Sequence, residues 1–238
     1  MKEFVLSDKD DKIISIIKER LFGFFKTLNG NYEIKNIDGR VYLEISIPRA
    51  YSEYFKERLI EEIASNLLFY VKWQFYKDNV PYFTKKDAQF VLLHSLVFSD
   101  FNTVVEILKA DLSTFNNFYL DGICNFLLSS EISEWEEIVN SIKNNLYRLQ
   151  EEKEFKKYLK CITSAINSKN DTLYVIDDNF PSLYNGELNK MDFTYKLAES
   201  LGKEDLLIAS IIENFPQKLV IYSKNLPGFV SNSLRLLY

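Results

Sequence analysis

Turn-forming residues are scarce in this chain, with 7 Gly and 5 Pro among 238 residues. That excludes collagen-like and linker-dominated architectures. It also leaves no glycine-rich phosphate loop: neither GxxxxGK[ST] nor GxGxxG occurs. P-loop NTPases, common Rossmann enzymes and typical kinases are thereby disfavoured. Cysteine is limited to Cys124 and Cys161, neither in a CxxC pair nor beside a histidine. A disulfide framework needs more cysteines and an export signal, so both read as reduced, small buried apolar side chains. His94 is the only histidine. A Ser-His or Cys-His nucleophile would have to use it, and a tetrahedral zinc site lacks its usual ligands. Its place in the apolar run 90–96 fits a hydrogen-bonded or surface helix histidine better. No uninterrupted apolar run of membrane-spanning length is evident; the longest candidate, 67–76, is broken by Lys72 and Gln74. The first eleven residues are too acidic for a signal peptide. These absences lead us to expect a cytoplasmic protein with no cofactor.

Aromatic and aliphatic side chains are abundant: 19 Phe, 15 Tyr and 47% hydrophobic residues overall. That is ample material for a buried core and excludes a disordered chain. Charge is mixed, 29 basic against 34 acidic residues, for a net of −5. Basic residues alternate with acidic ones, as in the run Glu-Glu-Lys-Glu-Phe-Lys-Lys at 151–157. This is the pattern of a solvated helix face, not of the basic stripe that phosphate neutralisation requires. Nucleic acid is accordingly not the expected partner.

Periodicity gives the elements. Residues 1–6 read as a strand, followed by a helix capped by Ser7 or Asp8 and carrying Ile13, Ile17, Leu21 and Leu28 on one face. Residues 32–37 and 40–47 form a hairpin around Asp38-Gly39, a pair suited to the positive φ angles of a tight turn. A helix over 51–76 shows an i,i+4 ridge of Phe55, Leu59, Ile63, Leu67 and Val71, widened by Ile60, Ala64 and Leu68. Thr84 and Asp87 suggest an acidic capping box for a helix reaching Phe98, and a weaker helix covers 102–112. From Ser133 a long helix buries Trp135, Val139, Ile142 and Leu146, with a kink near Gln150. A polar link at 168–171 precedes strands at 173–176, 182–184 and 218–222, a helical region over 192–215 broken at Gly202, and a last helix after Pro227. Strands at 173–176 and 218–222 are too short to stand alone, so they are expected to share a sheet covered by the helix around 206–212. The fold class is α+β and helix-rich, with a small N-terminal β-hairpin sheet and a small C-terminal sheet covered by helices. The division falls into an N-terminal region, 1–114, and a C-terminal region, 115–238, as two domains or one continuous one.

Two constellations offer chemistry. Asp177 and Asp178 follow a strand directly, with Asp171, Glu187 and Asp192 nearby in sequence. Carboxylates at a strand end can hold Mg²⁺ and activate water, so Asp177, Asp178 and Asp192 are candidate metal ligands of a phosphoesterase or nuclease. The competing reading of Asp-Asp-Asn before Phe-Pro is an ordinary turn. Phe69, Tyr70, Trp73, Phe75, Tyr76, Tyr82 and Phe83, interleaved with Lys72, Lys77, Lys85 and Lys86, offer a surface for stacking bases or contacting a membrane or, more simply, core and helix packing.

One longer stretch carries a family resemblance. Phe118-Tyr119-Leu120-Asp121-Gly122-Ile123-Cys124-Asn125-Phe126-Leu127 leads into the acidic-basic helix with Glu152-Lys153-Glu154-Phe155. Glu204-Asp205-Leu206-Leu207-Ile208-Ala209-Ser210-Ile211-Ile212 is followed by Pro216-Gln217-Lys218-Leu219-Val220-Ile221-Tyr222. This resembles the YtxC-like sporulation proteins of endospore-forming bacteria, over roughly residues 116–223. The resemblance implies a cytoplasmic, sporulation-associated protein with no established catalytic activity, and supplies no functional residues to carry over. The expected function is therefore a non-enzymatic interaction or regulatory role with protein partners. The alternatives are metal-dependent phosphoester chemistry near Asp177 and a nucleic-acid module around Trp73.

Overall fold

A computed structural model describes residues 1–166, 171–195 and 201–238, and only the backbone at Asp178. Part of the expected 168–171 link and part of the 192–215 helical region lie outside the described residues. The chain forms two compact units interleaved in sequence: Met1–Lys72 with Thr103–Trp135, and Trp73–Asn102 with Glu136–Tyr238. The α+β class and the two helix-covered sheets are as the sequence leads one to expect.

In the first unit, β1 (Lys2–Asp8), α1 (Asp11–Thr27), β2 (Asn31–Ile37) and β3 (Arg40–Ile47) follow one another. A short strand, β4 (Asn117–Tyr119), completes a sheet of order β2-β3-β1-β4, with β4 parallel to β1 and the other pairs antiparallel. Asp38 (φ 52°) and Gly39 (φ 75°) form the two-residue turn between paired Ile37 and Arg40, the left-handed geometry an Asp-Gly hairpin supplies. Phe4, Leu6, Leu43, Ile45 and Ile47 alternate inward and are buried with Ile13, Ile17 and Leu21 of α1. The cap of α1 is Asp10, whose carboxylate accepts the Lys12 N–H at 3.0 Å; Asp8 instead accepts the Asp10 N–H at 2.8 Å. The cap thus sits two or three residues beyond its expected place, because β1 runs on to Asp8.

Helix α2 (Ser52–Asn79) is buried on one face at first, through Phe55 and Leu59, but from Glu62 to Trp73 nearly all round. Ile60, Ala64 and Leu68 widen the buried ridge as the sequence leads one to expect, but Val71 at its end is only half-buried, and Lys72 is buried completely. Each i,i+4 step over-rotates by about 40° on a 3.6-residue helix, so four steps carry the ridge from Phe55 to a Val71 turned away from its starting face. Lys72 places its Nζ 5.4 Å from the centre of the Trp135 ring, a cation–π contact that suits a desolvated ammonium.

The second unit is organised around α3 (Lys86–Phe98), in which every residue from Val91 to Phe98 is buried. Thr84 does not cap it: the Thr84 hydroxyl donates to Gln150 Oε1 at 3.1 Å, and Lys85 occupies the cap position without a side-chain bond. Of the helices that follow in the chain, α4 (Phe101–Leu112) and α5 (Leu120–Leu127) belong mainly to the first unit, and α6 (Ser129–Leu149) and α7 (Glu152–Thr163) mainly to the second. Together α3 and α4 contain an 18-residue window with mean hydropathy 1.4, which the sequence reading overlooked. By length and composition it would cross a membrane, but 67% of it is buried within the protein, as in a core element. The break between α6 and α7 falls at the expected kink. On α6, Trp135, Val139 and Ile142 are buried but Leu146 is half-buried.

The second sheet is built from β5 (Thr172–Asp178), β6 (Phe180–Tyr184), β7 (Lys190–Met191) and β8 (Lys218–Tyr222), in the order β7-β6-β5-β8. Strands β5 and β8 pair parallel, while β5-β6 and β6-β7 are antiparallel. Between β7 and β8 lies α8 (Lys203–Asn214), starting after Gly202, whose N–H donates to Asp205 Oδ2 at 3.1 Å. The chain ends in α9 (Gly228–Leu237). Leu173, Val175 and Leu183 of the sheet are buried, as are Leu207, Ile208, Ile211 and Ile212 of α8. The expected pairing of 173–176 with 218–222 is thus present and parallel. Strands β4 and β7 were missed because three and two residues carry no readable alternation.

Candidate functional site

The second sheet has two unlike faces. Side chains alternate across a strand, and Leu173, Val175, Pro181 and Leu183 point to the buried side. The opposite face carries a cross-strand row of Lys190, Tyr184, Tyr174 and Val220, each paired with the next. The adjoining row is Ser182, Ile176 and Tyr222. All seven retain solvent access, and Tyr222 is 64% exposed. The Tyr174 and Tyr222 rings lie 6.3 Å apart and 14° from parallel, a separation at which aromatic rings attract. Tyrosines on a rigid sheet offer apolar area at small entropic cost, with a hydroxyl at the tip for hydrogen bonding. Such a surface is suited to recognition: its hydroxyls and the Lys190 amine can hydrogen-bond, and its rings offer apolar area.

Asp177 and Asp192, two of the three residues singled out as metal ligands, do not converge. Asp177 lies exposed near the end of β5 and accepts the Lys224 backbone N–H at 3.2 Å, tying the chain after β8 to the sheet. Asp178, paired with Phe180, is the last residue of β5. The turn that follows is made by Asn179 in left-handed conformation (φ 60°), as the turn-chemistry reading requires. Asp192 is exposed and lines a cleft of about 330 Å³ with Phe180, Lys190, Lys203, Leu206 and Ser210; Asp177 does not border that cleft. Among the described residues, no group of three or more His, Cys, Asp or Glu is placed to hold a metal ion.

His94 is fully buried, with Nδ1 3.0 Å from the Phe90 carbonyl and its ring against Phe90 (4.1 Å), Trp73 (4.8 Å) and Phe193 (6.1 Å). A carbonyl only accepts, so Nδ1 carries the proton. Nε2 is buried without a hydrogen-bond partner, and burial pushes the imidazole pKa down to about 4. The ring is a neutral core component. In the aromatic-dense stretch, Phe69, Trp73, Tyr76 and Phe83 are buried, while Tyr82 is 90% exposed. Core packing thus accounts for most of it.

One polar cluster escaped the sequence reading. The Arg40 guanidinium grips Asp121 fork to fork, Nη1 to Oδ1 at 2.8 Å and Nη2 to Oδ2 at 2.6 Å, and also donates to Ser7 Oγ at 3.2 Å. Arg40 holds the Asp121 carboxyl below its ordinary value. Burial raises the pKa of Asp8 nearby and pushes the Cys124 thiol up to about 12. The Tyr70 hydroxyl donates to Asp10 Oδ2 at 2.9 Å. Eighty-one positions separate Arg40 from Asp121, so no local pattern signals the pair. Asp121 and Gly122 lie in the first turn of α5. Compared with protein-family models, curated proteins and solved structures, the chain matches none.

Proposed function

We propose that this chain is a cytoplasmic, sporulation-associated protein that acts by binding protein partners rather than by catalysis. The observation that carries this reading is the solvent-facing aromatic face of the second sheet, with Tyr174, Tyr184 and Tyr222 around Ile176 and Val220. Tyrosine-rich, charge-poor patches are what protein interfaces concentrate at their centres. The link to sporulation rests on the resemblance of residues 116–223 to YtxC-like proteins. The net charge of −5 favours a protein partner over nucleic acid.

The test is complementation in an endospore-forming host from which the coding sequence is deleted. The wild-type chain should restore spore yield. A Tyr174→Ser/Tyr222→Ser chain, present at equal level and folded by circular dichroism, should not. A photo-crosslinking residue at position 222 should also give a discrete adduct with another protein in sporulating cells. Normal spore yield after deletion overturns the sporulation assignment, and full rescue by the double variant overturns the role of the face.

A further inference from the structure

The four sheet edges among the described residues are not equally protected. Strands β4 and β7, of three and two residues, are too short to template a neighbour. Strand β2 carries Glu33 and Lys35 in its middle, with Lys35 paired to Glu33 and Glu44. In-strand charges of this kind are how soluble proteins blunt an edge. Strand β8 differs. It reads Lys-Leu-Val-Ile-Tyr, with no charge or proline at its three central positions, and pairs only with β5 among the described strands. Ile221 is 42% and Tyr222 64% exposed, although Ile221 stands in register with buried Val175.

The five residues of β8 are complementary to themselves when reversed. In antiparallel register centred on Val220, Lys218 faces Tyr222 of the second strand, Leu219 faces Ile221, and Val220 faces its own copy. The single charge meets an aromatic ring instead of a second lysine, a favourable cation–π pair. Each apolar side chain meets another apolar one. A parallel register would instead align lysine with lysine.

We infer that β8 is a self-association edge, through which two copies of this chain pair antiparallel about a twofold axis at Val220. The pairing satisfies the outward N–H and C=O groups of β8 and covers Ile221. It generates an eight-stranded sheet of order β7-β6-β5-β8-β8-β5-β6-β7. The axis is perpendicular to the sheet, so the tyrosine faces of both copies lie on one side. A partner bound to that face would see a surface twice as wide, and the pairing stands whether or not such a partner exists.

The test is the mass of the full chain by light scattering over a concentration series. The wild-type protein should approach twice the 28.0 kDa chain mass as concentration rises. Tyr222→Lys, at an exposed position, sets a lysine against Lys218 of the other copy and should shift the series to the monomer. Adding Lys218→Glu to that variant restores opposite charges in the same register and should recover the dimer. A wild-type protein that stays monomeric overturns the proposal. So does a dimer that Tyr222→Lys leaves intact, because its contact then lies elsewhere. Failure of the Lys218→Glu rescue in a folded double variant rejects the register.

Discussion

Arg40 at the start of β3 and Asp121 in the first turn of α5 meet through two parallel hydrogen bonds of 2.8 and 2.6 Å. This links the β2-β3 hairpin to α5. Bidentate geometry makes the pair directional, and Lys at position 40 would not reproduce it.

The folded Asp121 carboxyl titrates below its ordinary value because Arg40 hydrogen-bonds its charged form. Its stabilising contribution is present above the unfolded pKa of 3.8 and is lost as pH falls through the lower folded value. Asp121→Asn should therefore melt at a lower temperature than wild type at pH 7, with the gap closing in strong acid. Equal melting temperatures at pH 7 would show that the pair contributes nothing.

His94 yields a second acid-linked effect. Its folded pKa of about 4 lies below the ordinary 6.5, so between those values the unfolded chain binds a proton that the folded chain refuses. Stability from this group is complete above pH 6.5 and falls as pH drops toward 4, by roughly 3 kcal/mol in all. As the sole histidine, its imidazole gives one assignable set of NMR signals. They should remain those of a neutral ring at pH 5.5. Titration near 6.5 in the folded protein would contradict the buried placement.

Core truncations should separate the two faces of α2 and α6. Leu59 is fully buried, and Leu59→Ala should cost about 2–5 kcal/mol in denaturant melts. Leu146 is half-buried, so Leu146→Ala should cost only about 1 kcal/mol. A larger loss at Leu146 than at Leu59 would invert the packing described above.

The two thiols should react unequally. Cys161 is exposed, whereas burial pushes Cys124 up to about 12. At pH 8 a thiolate-specific reagent should modify one cysteine per native chain, Cys161, and both after denaturation. Rapid labelling of Cys124 in the folded protein would refute its burial.

Local patterns carry far in this chain. The Asp38-Gly39 hairpin and the breaks near Gln150 and at Gly202 follow from turn chemistry and helical period, which act over a few residues, although 192–195, read as helical, are not. The apolar strands at 173–176 and 218–222 announce a shared sheet because short apolar strands cannot satisfy their backbone groups alone. What the tertiary structure alone decided is non-local. Burial of Lys72 against Trp135, the Arg40–Asp121 fork and the exposure of Leu146 depend on neighbours tens of residues away. So does the tyrosine face: Tyr174, Tyr184 and Tyr222 belong to three strands, and only the register of β6 and β8 against β5 sets them on one side. Asp177 and Asp192 illustrate the converse. They are close in sequence, yet β6 and β7 intervene, and Asp177 caps the chain after β8 instead of facing the cleft beside Asp192. Periodicity determines which side of its own element a residue occupies; only strand pairing determines what lies across from it.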